Sequence, residues 1–179
     1  MQYWKKKSIG LILVLFLWSQ LHSKEEKLRI ITHGTASILS PNAQVSDWNR
    51  FNGPFDNASS PESHLIEDWG KNGPKIIWEV ITGEGYASPA IAQGTLVLFH
   101  RENGKEIIEG LNAETGKRRW IYQYPVNYRD RYGYSNGPRS SPLIDENFIY
   151  AHGVTSWLTC LNLKTGELKW KRDLAREFE

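Results

Sequence analysis

Two ten-residue stretches constrain this chain more than anything else in it. Leu111-Asn112-Ala113-Glu114-Thr115-Gly116-Lys117-Arg118-Arg119-Trp120 returns fifty residues on as Leu161-Asn162-Leu163-Lys164-Thr165-Gly166-Glu167-Leu168-Lys169-Trp170. In both copies an apolar run ends in Leu-Asn, a Thr-Gly pair follows, and a charged segment reaches a tryptophan at the same distance from the glycine. Glycine supplies the positive φ that tight strand-to-strand turns demand, and the aromatic gives the returning strand a large surface to bury. The pattern is a hairpin. One hairpin is marginal in water, so a repeated one implies sheets stacked on sheets.

Around each hairpin the sequence lays out four short strands. In the first unit Ser88-Pro89-Ala90-Ile91 begins a strand, Gln93-Gly94 turns, and residues 95 to 100 run back. Asn103-Gly104 turns again, and residues 106 to 112 and 117 to 123 complete the set. The second unit has Ser141-Pro142-Leu143-Ile144, a turn at Asp145-Glu146-Asn147, then 148 to 152, a turn at Gly153, 157 to 162 and 167 to 172. Four short antiparallel strands per unit describe a propeller blade. Blade one is expected over about residues 86 to 123 and blade two over about 139 to 172. Upstream, Lys75-Ile76-Ile77-Trp78-Glu79-Val80 has the same Trp-bearing strand character with no hairpin before it: an outer strand without its blade. Asn-Gly-Pro triplets at 52 to 54, 72 to 74 and 136 to 138 read as turns, because proline has no donor for a ladder.

The tryptophans at 78, 120 and 170 stand 42 and then 50 positions apart, a spacing several propeller repeats share. The Gly-His and Trp-Asp pairs of WD40 repeats and the double glycine of kelch repeats are absent. The motif resembles the tryptophan-docking repeat of PQQ-binding-like β-propellers, the quinoprotein alcohol dehydrogenase-like or BamB-like superfamily, which runs approximately Ala/Leu-x-Asp/Asn-x-x-Thr-Gly-x-x-x-Trp. The resemblance covers about residues 75 to 172. Trp48-Asn49-Arg50-Phe51, Gly85-Tyr86-Ala87-Ser88-Pro89 and Asn136-Gly137-Pro138-Arg139 follow in the same order as in non-cytoplasmic members. It implies an all-β partial propeller: about two four-stranded blades plus one N-terminal closing strand, in a ring of seven or eight blades when complete. It also implies that Trp78, Trp120 and Trp170 pack blade against blade, with Leu111, Thr115, Gly116, Leu161, Thr165 and Gly166 building the hairpins they meet. On this reading the chain is the N-terminal part of a longer protein, and its remaining blades are its first partners.

Residues 1 to 23 have the layout of an export signal: Lys5-Lys6-Lys7, an apolar run from Ile9 to Trp18, then Ser19-Gln20-Leu21-His22-Ser23. Leu21 stands where a cleavage site prefers a small residue, so the alternative is an uncleaved membrane anchor at residues 9 to 18. Either puts the folded part outside the cytoplasm, in the periplasm or cell envelope. Residues 24 to 46 are charged and then Ser/Thr/Asn-rich, which reads as a polar tether before a folded part at 47 to 179. Eight Trp, eight Tyr and fifteen Gly beside a single Cys describe an aromatic, turn-rich β protein with no disulfide framework. Cys160 reads as a small buried hydrophobe. The formal charge of +2 includes the three lysines of the leader, and without them basic and acidic residues nearly balance. No nucleic-acid surface is expected.

Chemistry-bearing residues are few. His100 and His152 fall at equivalent strand ends, which is architectural; no zinc-ligand spacing stands beside either. One segment is different. The connection from Tyr124 to Arg139 between the blades concentrates four Tyr, three Arg and one Asp, residue types that make amphipathic recognition surfaces. Tyr86, Arg129, Asp130, Arg131, Tyr132, Tyr134 and Arg139 are the candidate contacts for a protein, peptide or glycan at the channel mouth. The competing expectation is that the Arg and Asp pair with each other while the Tyr rings pack the blade junction. The family resemblance also raises an enzyme, a PQQ- and calcium-dependent alcohol or sugar dehydrogenase. Its site, in such enzymes, uses an aromatic plane, commonly adjacent cysteines, and carboxylate and amide ligands for calcium. This chain has one cysteine and no calcium loop, so no catalytic residue, metal ligand or cofactor is assigned. PQQ and calcium enter only if a C-terminal part completes the site.

Overall fold

Strand-forming runs broken by Asn-Gly and Thr-Gly turns fold as the sequence pattern asks, in a computed structural model that describes residues 29–63 and 65–179. The expected signal or anchor segment lies outside the described residues. In chain order the strands are β1 (Ile30–Thr32), β2 (Trp78–Val80), β3 (Ala90–Ala92), β4 (Thr95–Glu102), β5 (Lys105–Asn112), β6 (Arg118–Pro125), β7 (Leu143–Asp145), β8 (Phe148–His152), β9 (Trp157–Asn162) and β10 (Leu168–Asp173). A single helical turn, α1 (Leu174–Glu177), follows, with the Asp173 side chain accepting the Arg176 N–H. Strands β3-β4-β5-β6 form one antiparallel sheet and β7-β8-β9-β10 another, each in simple up-and-down order. The fold is an all-β partial propeller with two four-stranded blades.

The upstream part differs from expectation. Ile30–Thr32 lies within the segment read as a tether, yet it pairs antiparallel with β2, placing Ile30 opposite Val80 and Thr32 opposite Trp78. Two β-branched isoleucines suit a strand edge, but the charged and polar residues around them hide any period. The Trp78 strand is therefore not solitary, and order begins before Asp47. In this small sheet β1 sits beside β2 as β5 sits beside Trp-bearing β6.

The repeated turn is built identically in both blades. Asn112 Oδ1 accepts the N–H groups of Glu114 and Thr115 at 3.0 and 2.9 Å and the Thr115 hydroxyl at 3.0 Å. Asn162 Oδ1 does the same for Lys164 and Thr165 at 3.0, 3.0 and 3.1 Å. These Asx turns carry the chain into Gly116 and Gly166 at φ of 71° and 70°. The glycines have a second duty. The Trp120 ring lies so close that a Cβ on Gly166 would fall 2.6 Å from it, and Trp78 stands 2.7 Å from the same point on Gly116. Each indole also donates its N–H to a carbonyl of that turn, Trp120 to Leu163 at 2.9 Å and Trp78 to Ala113 at 3.1 Å. So the Trp strand of one sheet docks on the Thr-Gly hairpin of the next. Trp120 is 8 % exposed, whereas Trp170 is 39 % exposed and leans on Tyr150, with ring centroids 5.9 Å apart.

Between the blades Val97, Phe99 and Ile108 of one share a buried cluster with Ile144, Ile149, Leu161 and Leu163 of the other. A short upstream strap crosses the edge strands β3 and β7: the Ile91 N–H donates to the Trp48 carbonyl and the Ile144 N–H to the Asn49 carbonyl, each at 2.8 Å. It covers backbone edges that would otherwise lie open.

If glycine is needed for room as well as for φ, two positive-φ glycines will respond differently to alanine. Gly104 has φ 72° with nothing within 4 Å of its would-be Cβ. Gly104→Ala should cost about 1 kcal/mol of backbone strain, and Gly166→Ala roughly 1 to 3 kcal/mol more for the clash with Trp120. Trp120→Ala should cost about 3 to 5 kcal/mol. Urea unfolding followed by tryptophan fluorescence measures all three.

Candidate functional site

Two polar constellations lie at the junctions of blade one. The first is buried. Glu109, on the inner strand β5 and 1 % exposed, accepts from Arg29 Nη2 at 2.9 Å, His100 Nε2 at 3.0 Å and Arg118 Nε at 2.9 Å. The Gly83 N–H donates to His100 Nδ1 at 3.1 Å, so Nδ1 keeps its lone pair and the proton on Nε2 points at the carboxylate. Arg29 also donates to the Ile81 carbonyl. Burial pushes the Glu109 carboxyl up, but the hydrogen bond from His100 and the charges of Arg29 and Arg118 outweigh it and bring the pKa down from 4.5 to about 2. His152 stands at the surface, so the two histidines do not converge as ligands. Glu109 was missed from sequence as the partner of His100. The signal was a glutamate set among Ile107, Ile108 and Gly110 on a strand that the Asn103-Gly104 turn folds back against β4.

The second constellation is the connection from β6 to β7. Its backbone is fastened at many points. The nearly buried Asp130 accepts the Tyr134 N–H at 2.8 Å and Arg139 Nη2 at 2.9 Å, and its own N–H donates to Asn136 Oδ1 at 2.9 Å. Hydrogen bonding from the Tyr134 backbone, then from Arg139, holds its carboxyl below the usual range. Arg101 Nη1 donates to the carbonyls of Tyr128 and Asn136 at 2.8 and 2.9 Å. Glu84 Oε2 accepts the backbone and side-chain N–H groups of Asn136 at 3.1 and 3.0 Å. Val126 donates to the Gly104 carbonyl.

On this frame the tyrosine rings face outward. Tyr86, Tyr132 and Tyr134 are 60, 67 and 75 % exposed. The Tyr86 hydroxyl donates to the Tyr134 carbonyl at 3.3 Å, the Arg131 guanidinium lies 4.7 Å from the Tyr132 ring centre, and the rings of Tyr132 and Tyr134 are 6.3 Å apart. Arg129 is exposed on the same loop. Of the seven candidate contacts, Asp130 and Arg139 pair with each other and support the loop, while the Tyr rings do not pack the blade junction. Tyr124 does, being buried in the inter-blade cluster. Glu84, Arg101, Tyr128 and Asn136 are supports that sequence alone did not show, because they act through carbonyls and amides brought together from separate turns.

At the other end of β4, an open cavity of about 260 Å³ lies between the strap and the β3–β4 and β7–β8 turns, touching Asp47, Asn49, Gln93 and Glu146. That is below the ~300–1,000 Å³ of ordinary ligand pockets. Among the described residues no three His, Cys, Asp or Glu side chains stand together as metal ligands.

Sheets docked through tryptophans on Thr-Gly hairpins define a β-propeller repeat protein. The family described as "Outer membrane protein assembly factor BamB" matches residues 64–179, and the chain belongs to that family. Among solved structures it is similar to BamB from Moraxella catarrhalis, at 22% sequence identity and a TM-score of 0.33. That match covers 54% of this chain and 26% of the other, so the chain spans about a quarter of its length. No curated protein matches it.

The low pKa of Glu109 sets a direction for acid stability. A carboxyl whose folded pKa lies below its unfolded value stabilises the fold fully above about pH 4.5, and that contribution is lost as the pH falls toward 2. The shift corresponds to roughly 3 kcal/mol. Glu109→Gln should therefore be markedly less stable than wild type at pH 7, with the gap closing between pH 4.5 and 2. Paired urea titrations across that range test it.

Proposed function

We propose that this chain is a β-propeller scaffold of the cell envelope, acting outside the cytoplasm, that binds a protein, peptide or glycan through the β6–β7 loop. The observation that carries the reading is the division of labour in that loop. Its backbone is held by Asp130, Arg101, Glu84 and Asn136; among the described residues the Tyr132 and Tyr134 side chains make no hydrogen bond to it, Tyr86 makes one through its hydroxyl, and all three rings stay exposed. Large aromatic rings on a preformed backbone bind without the entropic cost of ordering a loop. The family description, an assembly factor of the outer membrane, supports a role in holding other proteins. It also supports the envelope location, together with the exported leader read from the sequence.

The test separates ring contacts from loop structure. Tyr86, Tyr132 and Tyr134 changed together to Ala should leave the melting temperature within a few degrees of wild type, since exposed substitutions typically change stability by about 0.5 kcal/mol or less each. Crosslinked partners recovered from a cell-envelope extract should fall sharply. Undiminished recovery by the folded triple variant would remove this loop as the binding surface.

A further inference from the structure

Resting on that reading, we propose that the loop's ligand is an extended acidic peptide segment. Charge comes first. Of the carboxylates that hold this loop in place, Asp130 pairs with Arg139, and Glu84, hydrogen-bonded to the neutral Asn136, is offset by Arg101, whose backbone it bridges and whose guanidinium donates to the Tyr128 and Asn136 carbonyls. Glu102 and Lys105 beside the neighbouring β4–β5 turn are opposite in sign and offset each other. Arg129 and Arg131 are exposed, and among the described residues neither forms an ion pair. The charges left without a counterpart are positive, and their natural complement is a carboxylate-bearing segment.

Spacing selects the shape. The Tyr132 and Tyr134 rings are 6.3 Å apart, close to the roughly 6.6–6.8 Å between same-face side chains of an extended strand. Gly133, at φ 76° between them, turns the backbone so that the two rings stand as neighbours. Arg131 over Tyr132 keeps a cation at the edge of this platform. An extended chain can thus lay apolar side chains i and i+2 on the two rings and bring an intervening or flanking carboxylate to Arg129 or Arg131.

The experiment uses the full chain and fluorescein-labelled dodecapeptides in which Val alternates with Glu, or with Lys, followed by fluorescence anisotropy at 20 and 300 mM salt. The Glu peptide should bind, more weakly at high salt, and the Lys peptide should not. Changing Arg129 and Arg131 together to Gln should weaken binding of the Glu peptide by roughly tenfold, with Tyr132→Ala weakening it at both salt concentrations. Equal binding of the Lys peptide, no effect of the arginine changes, or tighter binding of an acidic oligosaccharide such as oligogalacturonate would each overturn the proposal. Failure of the two readings is distinguishable. If envelope partners still depend on the three tyrosines while the arginine variant captures them normally, the acidic-peptide inference falls and the binding role stands; if neither change matters, both fall.

Discussion

Everything in this architecture depends on an indole lying flat against a glycine. A sheet buries little on its own, and stacking needs a contact that fixes both distance and orientation between neighbours. Trp120 on Gly166 does both. The missing Cβ sets how close the ring approaches, and the indole N–H, donating to Leu163, fixes its rotation. The φ that excludes other residues from the turn and the space that admits the ring both call for glycine, so one residue answers two constraints. That is why each repeat carries both parts: a Thr-Gly turn that receives the ring of the preceding sheet, and a Trp strand of the kind that docks on the following turn.

Besides the docked indoles, one strand of blade one carries polar contacts to both neighbours. β5 carries Glu109 toward the β1–β2 sheet, where Arg29 reaches it, and Glu106 toward blade two, where its Oε1 accepts the Val154 N–H at 2.8 Å. Alternate side chains of a strand face opposite ways, and three residues of separation put these two carboxylates on opposite faces. Neither glutamate is alone in an apolar setting. Glu109 has three cationic or polar donors, and on the Glu106 side Lys171 is held over the rings of Tyr124 and Trp157 at 3.8 and 3.9 Å. A buried carboxylate with one donor removed is costly, so each glutamate ties blade one to a neighbour that must stay in place to satisfy it.

The blades were legible because their information is local. Leu-Asn, Thr-Gly and Trp fall within ten residues, and a turn followed by a docking ring needs nothing from elsewhere to be read. β1 was not legible, because Ile30–Thr32 is made a strand by its partner Trp78–Val80 nearly fifty residues on, with Arg29 anchored to Glu109 beyond that. The tyrosine loop was legible in composition and not in arrangement. Four Tyr and three Arg in one connection marked a surface, but which of them hold the loop and which face outward depends on Glu84 and Arg101, contributed by different turns.

That division also accounts for the polar residues in the loop. An exposed connection of this length loses conformational entropy if it orders only on contact. Here the ordering is done during folding, by hydrogen bonds to Asp130, to the carbonyls of Tyr128 and Asn136, and to Glu84. Those bonds use backbone groups and side chains beneath the surface, and among the described residues, of the exposed rings above them, Tyr86 alone adds a bond to the frame, from its hydroxyl to the Tyr134 carbonyl. The blades and the loop backbone are thus fixed by one set of residues, while Tyr86, Arg129, Arg131, Tyr132 and Tyr134 make up the exposed surface.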